Sequence, residues 1–592
     1  MFGKVLVANR GEIAIRIFRT LREMGIGTVA VYSEVDRDAL FVRHADEAYL
    51  IGPGPAAESY LKIPAILEAA ARSGAEAIHP GYGFLAENAG FARACEEAGF
   101  VFIGPTPEAI EAMGSKVAAR ALMAQAGVPI VPGTTEPIET LAQARRVAKE
   151  IGYPVAVKAA AGGGGKGFRV APTASALPDA FEGARREAEK FFADSVVYLE
   201  RYLPDPRHVE IQVLADAHGN CIWLGERDCS IQRRHQKLVE ETPSPVVSPG
   251  LRRRMGEAAV RAARAVGYRS AGTIECLVAG EDFFFLEMNT RIQVEHTVTE
   301  AVLGIDLVRE QVRIAAGERL SLRQADVRPR GHAFECRINA EDASKRFLPA
   351  PAPITAYREP GGLGVRVDSG VAAGSVVPEI YDPMIAKLIV WDTDRESARR
   401  RMIRALDEFV VEGPATLIPF HRWLFEQEEF IAGGTCHELL ARLAETPTPI
   451  PPPAGARVEL PAERAAEPAP RAERSFTAEV GGKRFDVRLF YEDDGAAAGA
   501  PSRRRRPRST EAHPGPGHNG SAADTLATPM QGTVLRVLVT LGQEVSEGDV
   551  ICIVEAMKME NEVVAHRGGT VKELHVAEGQ AVKADEVIAV IA

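Results

Sequence analysis

The chain has 592 residues, too many for one hydrophobic core, and 46% of them are apolar, so we expect several folded domains. Its 81 acidic and 70 basic residues leave a net charge of −11, which argues against a nucleic-acid coat and offers no basic face to anionic lipid.

Seven scattered cysteines form no CxxC pair, which disfavours a zinc site or a disulfide framework. The first residues, MFGKVLVANRG, have the pattern of a strand and lack the apolar core and cleavage site of a signal peptide. No apolar run reaches the length of a membrane span. These features indicate a cytoplasmic protein that binds neither nucleic acid nor membrane.

Strand-like and helical stretches alternate from the N-terminus onward. KVLVAN precedes the helical GEIAIRIFRTLREMG, and the strand-like TVAVYS follows. This alternation predicts an α/β fold with a parallel sheet. The first strand-to-helix turn is ANRGE rather than GxGxxG, so the dinucleotide-binding fingerprint is absent.

A glycine-rich run lies between two strand-like segments in YPVAVKAAAGGGGKGFRVA, residues 153–171. Glycines let backbone N–H groups crowd around a phosphate, and Lys166 adds positive charge. Gly167 stands where a Walker A loop needs Ser or Thr. The pattern favours a phosphate-binding loop of another kind, although a plain hairpin tip has the same composition.

Polar and apolar residues alternate in LEMNTRIQVEH, residues 286–296. In an extended strand the polar side chains would share one face; they are Glu287, Asn289, Arg291, Gln293 and Glu295. With Glu275 from the preceding strand-like GTIECL, carboxylate and amide oxygens suit Mg²⁺, and the arginine can hold a small anion. A solvated, salt-bridged strand face is the alternative.

The C-terminal segment repeats itself. GTVLRVLVTLGQEVSEGDVICIV (532–554) is similar to GTVKELHVAEGQAVKADEVIAVI (569–591), an offset of 37 residues (569 − 532). Two equal halves of short strands predict a small all-β sandwich with approximate twofold symmetry. Lys558 lies between the halves in EAMKMENEV, so we expect it at a turn, displayed outward.

Two segments rich in Pro, Ala, Gly and charge, 446–474 and 495–523, have the composition of linkers. Between them, FTAEVGGKRFDVRLF predicts a small β-hairpin within 475–494 that could dock a partner.

Residues 1–446 resemble biotin carboxylase, an ATP-grasp enzyme. The motifs that carry this resemblance are ANRGEIA, HPGYGFLAEN, MGSK, KAAAGGGGKG, RHVEIQVLAD, ERDCSIQRRHQK, EMNTRIQVEH and ECRINAED. One departure is HTVTE where HPVTE is expected, which leaves the charged residues unchanged. Residues 528–592 resemble the biotinyl carrier domain, whose modified lysine sits in AMKM, so biotin is expected on Lys558.

The resemblance implies a Rossmann-like domain (1–115), an ATP-grasp domain (116–330), a C-terminal carboxylase domain (331–445) and a biotinyl barrel sandwich (524–592). The implied ATP contacts are Lys116, Lys158, Gly163, Gly164, Gly165, Lys166, Gly167, Glu200, His208 and His235. Mg²⁺ or Mn²⁺ is implied at Glu275, Glu287 and Asn289. Bicarbonate and biotin contacts are implied at Tyr82, Lys237, Arg291, Gln293, Val294 and Arg337. The implied catalytic residues are Glu295, Arg337, Lys237 and Arg291, with Glu295 as base.

No carboxyltransferase segment follows the carrier, so we expect a separate carboxyltransferase β subunit, together with a biotin protein ligase and a homodimeric carboxylase core. The arrangement resembles the α subunit of bacterial acyl-CoA carboxylases that act on acetyl-CoA or propionyl-CoA. A component of a two-chain pyruvate carboxylase, a methylcrotonyl- or geranyl-type α chain, and a catalytically inactive carrier platform remain open.

Overall fold

The computed structural model describes residues 1–134, 136–159, 167–192, 195–233, 236–445, 471–480, 483–492, 524–528, 531–556, 559–583 and 586–592. Within these ranges, no helix combines the length and the apolar character needed to cross a lipid bilayer.

The N-terminal part alternates strands and helices, as the sequence predicts. Its elements are β1 (Lys4–Val7), α1 (Gly11–Glu23), β2 (Gly27–Ser33), α2 (Leu40–His44), β3 (Glu47–Gly52), α3 (Ile63–Ser73), β4 (Ala77–His79), α4 (Ala89–Glu97), β5 (Val101–Phe102) and α5 (Pro107–Gly114). The strands form a parallel sheet in the order β3-β2-β1-β4-β5.

The loops after β1 and β4 lie together because the carboxyl ends of parallel strands share one edge of the sheet. The side-chain nitrogen of Asn9 donates hydrogen bonds to the carbonyls of Pro80 (2.8 Å) and Tyr82 (2.7 Å). Gly81 adopts a positive φ of 63°, and a Cβ there would meet Asn9 at 3.0 Å. The Tyr82 loop is therefore held against the start of α1.

A smaller α/β region follows. It contains α6 (Lys116–Gln125), α7 (Leu141–Ile151), β6 (Val155–Ala159), β7 (Phe168–Ala171), α8 (Leu177–Phe192) and β8 (Val197–Arg201). Its three strands form an antiparallel sheet in the order β7-β6-β8. The glycine-rich segment joins β6 to β7, as expected, although residues 160–166 lie outside the described ranges.

A mixed region completes the carboxylase-like part of the chain. Its first elements are β9 (Arg207–Ala215), β10 (Cys221–Arg233), β11 (Gln236–Thr242), α9 (Pro249–Ala265), β12 (Ser270–Ala279), β13 (Asp282–Asn289), α10 (His296–Leu303) and α11 (Leu307–Ala315). Its later elements are β14 (His332–Asn339), β15 (Glu341–Asp342), β16 (Leu348–Pro349), β17 (Ala356–Arg358), β18 (Val365–Ser369), β19 (Met384–Asp392), α12 (Arg395–Glu408), β20 (Val410–Glu412), α13 (Ile418–Leu424), α14 (Glu428–Ile431) and α15 (His437–Glu445).

One antiparallel sheet of eight strands runs through this region in the order β13-β12-β9-β10-β11-β14-β19-β18. Strands β11 and β14 pair with Val239 opposite Cys336 and Glu240 opposite Glu335. The sheet thus joins residues more than ninety positions apart in the chain, and it carries the predicted site residues Lys237, Glu275, Glu287 and Arg337.

The prediction of one extended strand through residue 295 is wrong. Strand β13 ends at Asn289, and Glu295 is the N-cap of α10. Residues 290–295 turn away, and the backbone of His296 donates to the carbonyl of Gln293 (3.3 Å). Alternating polarity fits a strand, but it does not encode where the strand gives way to a helix.

The hairpin between the two linkers is present as β21 (Arg471–Val480) and β22 (Lys483–Glu492). The strands pair from Val480 opposite Lys483 to Arg471 opposite Glu492. The pairing therefore begins at Arg471, inside the segment that composition assigns to a linker.

The carrier segment folds from short strands, as the repeat predicts. They are β23 (Thr525–Ala527), β24 (Gly532–Val537), β25 (Glu544–Val545), β26 (Val550–Ala556), β27 (Met559–Val564), β28 (Gly569–Leu574), β29 (Ala581–Val582) and β30 (Val587–Ile591). They form two four-stranded sheets, β23-β30-β28-β25 and β27-β26-β24-β29.

The sequence offset of 37 residues is also a structural one. Strands β24, β25 and β26 correspond to β28, β29 and β30 at that offset (569 − 532, 581 − 544 and 587 − 550). Each half lends a short strand to the other, since β25 pairs with β28 and β29 pairs with β24. Ala556 pairs with Met559, and Lys558 itself lies outside the described residues.

We expect Phe425→Ala to lower the free energy of unfolding of the carboxylase-like part by about 3–5 kcal/mol. The Phe425 ring is fully buried, with ring centroids 5.1 Å from Phe334 and 4.5 Å from Phe430. Urea denaturation followed by fluorescence measures the shift. Val376→Ala is the control, because Val376 is 64% exposed and should leave the midpoint unchanged. Equal midpoints for the two variants would contradict this assignment of the core.

Candidate active site

A cavity of about 1100 Å³ opens between the parallel sheet, the three-stranded sheet and the eight-stranded sheet. Every predicted site residue that the structure describes lines it; they are Tyr82, Lys116, Lys158, Gly167, Glu200, His208, Lys237, Glu275, Glu287, Asn289, Arg291, Gln293, Val294, Glu295 and Arg337. The other predicted residues, Gly163, Gly164, Gly165, Lys166, His235 and Lys558, lie outside the described ranges.

Lys237 on β11 is the centre of the charged groups. Its Nζ lies 2.7 Å from Glu210, 2.9 Å from Glu275 and 2.6 Å from Glu295. Burial alone would lower the pKa of Lys237, but the charges of Glu210, Glu275 and Glu295 together raise it. Lys237 is therefore a permanent cation among three buried carboxylates. Glu210 has no predicted role, although it lies in the RHVEIQVLAD motif.

Glu295 is buried at the start of α10. Its Oε1 contacts Lys237 at 2.6 Å, and its Oε2 accepts a hydrogen bond from Arg337 Nη2 at 3.0 Å. Burial alone would raise the pKa of Glu295, but Lys237 and Arg337 outweigh burial and hold the pKa well below its usual range. Glu295 is thus a carboxylate at neutral pH, oriented by two cations.

Arg337 on β14 reaches the cavity beside β11. Its Nε donates to Glu240 Oε1 (2.7 Å), and Glu240 has no solvent-exposed surface. Burial raises the pKa of Glu240 to about 7 against the opposing charge of Arg337. Sequence reasoning missed Glu240, because only the pairing of β11 with β14 brings it to Arg337.

The three predicted metal ligands lie on the β12–β13 hairpin. Glu275 and Glu287 stand opposite each other in the register. Both oxygens of Glu275 are engaged, one 2.7 Å from His208 Nε2 and the other accepting from Gln293 Nε2 at 2.8 Å. Burial and then the charge of Glu275 raise the pKa of Glu287. Facing carboxylates with an adjacent amide oxygen form a hard-oxygen site, so the donor set fits Mg²⁺.

Cations gather where ATP phosphates are expected. Lys158 Nζ lies 2.5 Å from Glu200 Oε2, and Arg120 donates to the other oxygen of Glu200. Lys116 Nζ is 4.0 Å from Glu287, on the metal side. Lys158 on β6 and Lys116 at the start of α6 both line the cavity.

Arg291 and Gln293 are fixed by residues that the sequence did not assign. Arg291 Nε donates to Glu87 (2.9 Å), from the HPGYGFLAEN motif. Gln293 Oε1 accepts from Arg227 Nη2 (2.7 Å), and Arg227 is fully buried. The guanidinium of Arg227 also donates to Glu210 (2.5 Å), so one arginine links Gln293 to the carboxylates around Lys237.

Four family models match the chain. They are the "Biotin carboxylase, N-terminal domain" (residues 1–110), the "Carbamoyl-phosphate synthase L chain, ATP binding domain" (115–323), the "Biotin carboxylase C-terminal domain" (335–442) and the "Biotin-requiring enzyme" model (524–591). Together they cover both the residues that form the cavity and the repeated carrier segment.

Individual proteins agree with these models. The chain is 47% identical over 598 aligned residues to the biotin-dependent acyl-coenzyme A carboxylase alpha3 subunit of Mycobacterium leprae, covering 100% of this chain and 98% of that one. It is 56% identical over 433 residues to a pyruvate carboxylase subunit of Methanothermobacter thermautotrophicus, covering 73% of this chain and 88% of that one.

A solved relative is the biotin carboxylase domain dimer of the Hydrogenobacter thermophilus 2-oxoglutarate carboxylase, in complex with MgADP, ADP and bicarbonate. It superposes with a TM-score of 0.71 at 49% identity, covering 75% of this chain and 99% of that one. This chain belongs to the biotin carboxylase family, as a biotin carboxylase joined in one polypeptide to a biotin-carrier domain, with biotin, ATP, Mg²⁺ and bicarbonate as its cofactors and substrates.

Proposed function

We propose that the chain carboxylates biotin held on Lys558 of its own carrier and delivers the carboxyl group to a separate carboxyltransferase β subunit, whose acceptor is acetyl-CoA or propionyl-CoA. The observation that supports carboxylation of biotin is the cluster of Lys237, Glu295 and Arg337 at the cavity wall. Similarity over the whole chain to an acyl-CoA carboxylase α subunit supports the acceptor class.

Glu295 is proposed as the base that takes the proton of bicarbonate. In this structure its pKa is held low by Lys237 and Arg337, so its carboxylate is a weak base. When bicarbonate binds, the same cations can turn toward the anion, and Glu295 then loses part of their stabilisation. Its basicity would rise only with substrate present, which suits a general base.

The lysine and arginine side chains at the cavity have separate proposed roles. Lys237 and Arg291 would hold bicarbonate beside Glu295, while Lys116 and Lys158 would hold the ATP phosphates. Glu275, Glu287 and Asn289 would hold Mg²⁺, which would neutralise charge on the phosphates. Arg337 would stabilise the negative charge that develops when biotin gives up its ring proton. By its resemblance, the glycine-rich segment 162–167 would contact the ATP phosphates.

The partner surface is proposed to include the β21–β22 hairpin, which lies between the carboxylase-like part and the carrier in the sequence. An isolated two-stranded hairpin is marginal in water, so a covering partner would stabilise it. A biotin protein ligase would modify Lys558, and a homodimeric carboxylase core follows the dimer described for the Hydrogenobacter domain.

Pyruvate is a second candidate acceptor, because the chain is 56% identical to a pyruvate carboxylase subunit over the carboxylase region. A methylcrotonyl- or geranyl-type acceptor shares the same chemistry on the biotin side. An inactive carrier platform is disfavoured by the predicted charged residues that line the cavity in the described part of the chain.

We expect Arg337→Ala to slow carboxylation of free biotin by about 10²–10³-fold, because a charge-stabilising group at the reacting centre is removed. ATP binding, measured by calorimetry, should be retained. Arg323→Ala is the matched control, since its side chain is 84% exposed. Near-wild-type rates for Arg337→Ala would refute this role.

Lys558→Arg should abolish capture of the chain on avidin, because the arginine side chain cannot take up biotin through an amide. Carboxylation of free biotin should persist, since the carboxylase cavity is unchanged. Lys572→Arg, an exposed lysine on β28, is the control and should remain biotinylated. Intact-mass measurement distinguishes the variants, and biotin retained on Lys558→Arg would place the attachment elsewhere.

The acceptor is identified by capturing the protein with its partner from native cells on avidin, then adding ATP, labelled bicarbonate and a panel of acceptors. Label in malonyl-CoA or methylmalonyl-CoA supports the acyl-CoA proposal. Label only in oxaloacetate supports the pyruvate alternative. The enzymatic function would be refuted if Lys558 is biotinylated but no acceptor in the panel becomes labelled and free biotin is not carboxylated.

A further inference from the structure

Lys387 is a buried cation to which neither the sequence nor the proposed mechanism gives a role. It lies on β19 opposite Arg337, and its side chain has no exposed surface. Burial alone would lower the pKa of Lys387, but the carboxylates of Glu12, Glu335 and Asp368 together raise it. A buried ammonium is retained only where partners compensate its lost hydration, so its contacts are informative.

The first contact is with the backbone beside the proposed base. Lys387 Nζ donates to the carbonyl of Val294 at 2.9 Å. That carbonyl belongs to the peptide unit that leads into Glu295, which caps α10. Lys387 therefore fixes the backbone from which the Glu295 side chain projects toward Lys237 and Arg337.

The second contact leads to the Tyr82 loop. Lys387 Nζ lies 3.4 Å from Glu12 Oε1, in the first turn of α1. The same oxygen of Glu12 accepts the hydroxyl hydrogen bond of Tyr82, and Lys387 lies 5.9 Å from the centre of the Tyr82 ring. Glu12 is 4% exposed. One buried ion pair thus joins α1 and the Tyr82 loop to the peptide before Glu295.

We propose that Lys387 and Glu12 are positioning residues that set the distance between Tyr82 and Glu295, the two sides of the bicarbonate and biotin site. This inference rests on the proposed function of that site. Two further carboxylates, Glu335 and Asp368, also act electrostatically on Lys387. What Glu12 adds is the hydrogen bond to Tyr82.

The test uses free-biotin carboxylation by the full chain. Single variants such as Lys387→Met leave a buried charge without its partner and are at risk of misfolding. The double variant Glu12→Gln/Lys387→Met removes both charges and keeps the side-chain lengths similar. We expect it to fold, with an unchanged KM for ATP, and to lose about 10²-fold in kcat/KM for bicarbonate and for biotin, the size expected from misplacing reacting groups.

A double-mutant cycle distinguishes a positioning role of Glu12 from a purely structural one. If Glu12 acts through the Tyr82 hydroxyl, Tyr82→Phe should lower kcat/KM for biotin in the wild type and add little in a Glu12→Met/Lys387→Met background, which has neither the buried charges nor an acceptor for the hydroxyl. The control pair is Arg252→Met/Glu226→Gln, which removes an ion pair of 2.5 Å outside the cavity lining. That pair should alter thermal stability without changing the kinetic constants.

Two outcomes overturn the inference. The first is a folded double variant with wild-type kcat/KM for bicarbonate and biotin. The second is a double variant whose kcat/KM for ATP falls as much as its kcat/KM for bicarbonate and biotin. Failure of the wild-type chain to carboxylate free biotin would instead refute the proposed function, so the two failures are distinguishable.

Discussion

The ammonium group of Lys237 holds three buried carboxylates within hydrogen-bonding distance, each from a different element of the fold. Glu210 comes from β9, Glu275 from β12 and Glu295 from the start of α10. Without the cation, these negative charges would repel one another where water screens them poorly. Lys237 therefore contacts both the proposed base, Glu295, and one of the proposed metal ligands, Glu275.

The eight-stranded sheet makes the charge arrangement rigid. Lys237 and Glu240 lie on β11, and Arg337 lies on the neighbouring strand β14, so main-chain pairing fixes their separation. Arg227 on β10 uses its guanidinium to hold Glu210 and Gln293 at once.

The carrier is built on a different principle. Its core consists of small apolar side chains, including Val534, Ile551, Val571 and Ile588, which are fully buried between two short sheets. The two halves exchange a strand each, so neither half would be complete alone. A stable small domain of this kind can carry a reactive group between two sites without itself taking part in the chemistry.

The sequence alone determined the α/β and all-β fold classes, the repeat of 37 residues and the identity of most charged residues at the cavity. These follow from local periodicity and from motifs that are contiguous in the chain. The end of β13 at Asn289, and with it the place of Glu295 at the start of a helix, was decided by tertiary structure. Alternation of polar residues cannot distinguish a strand from a turn that keeps the same side chains near one cavity.

Only the tertiary structure could reveal Glu240, Glu12 and Lys387. Lys387 is 93 residues from Val294 in the chain, and Glu12 is 70 residues from Tyr82. Their meeting depends on strand order and on the packing of α1 against the eight-stranded sheet, which no local pattern specifies. The physical reason is that a buried charge is compensated by partners that only folding brings close, whereas a motif consists of residues that are already adjacent in the sequence.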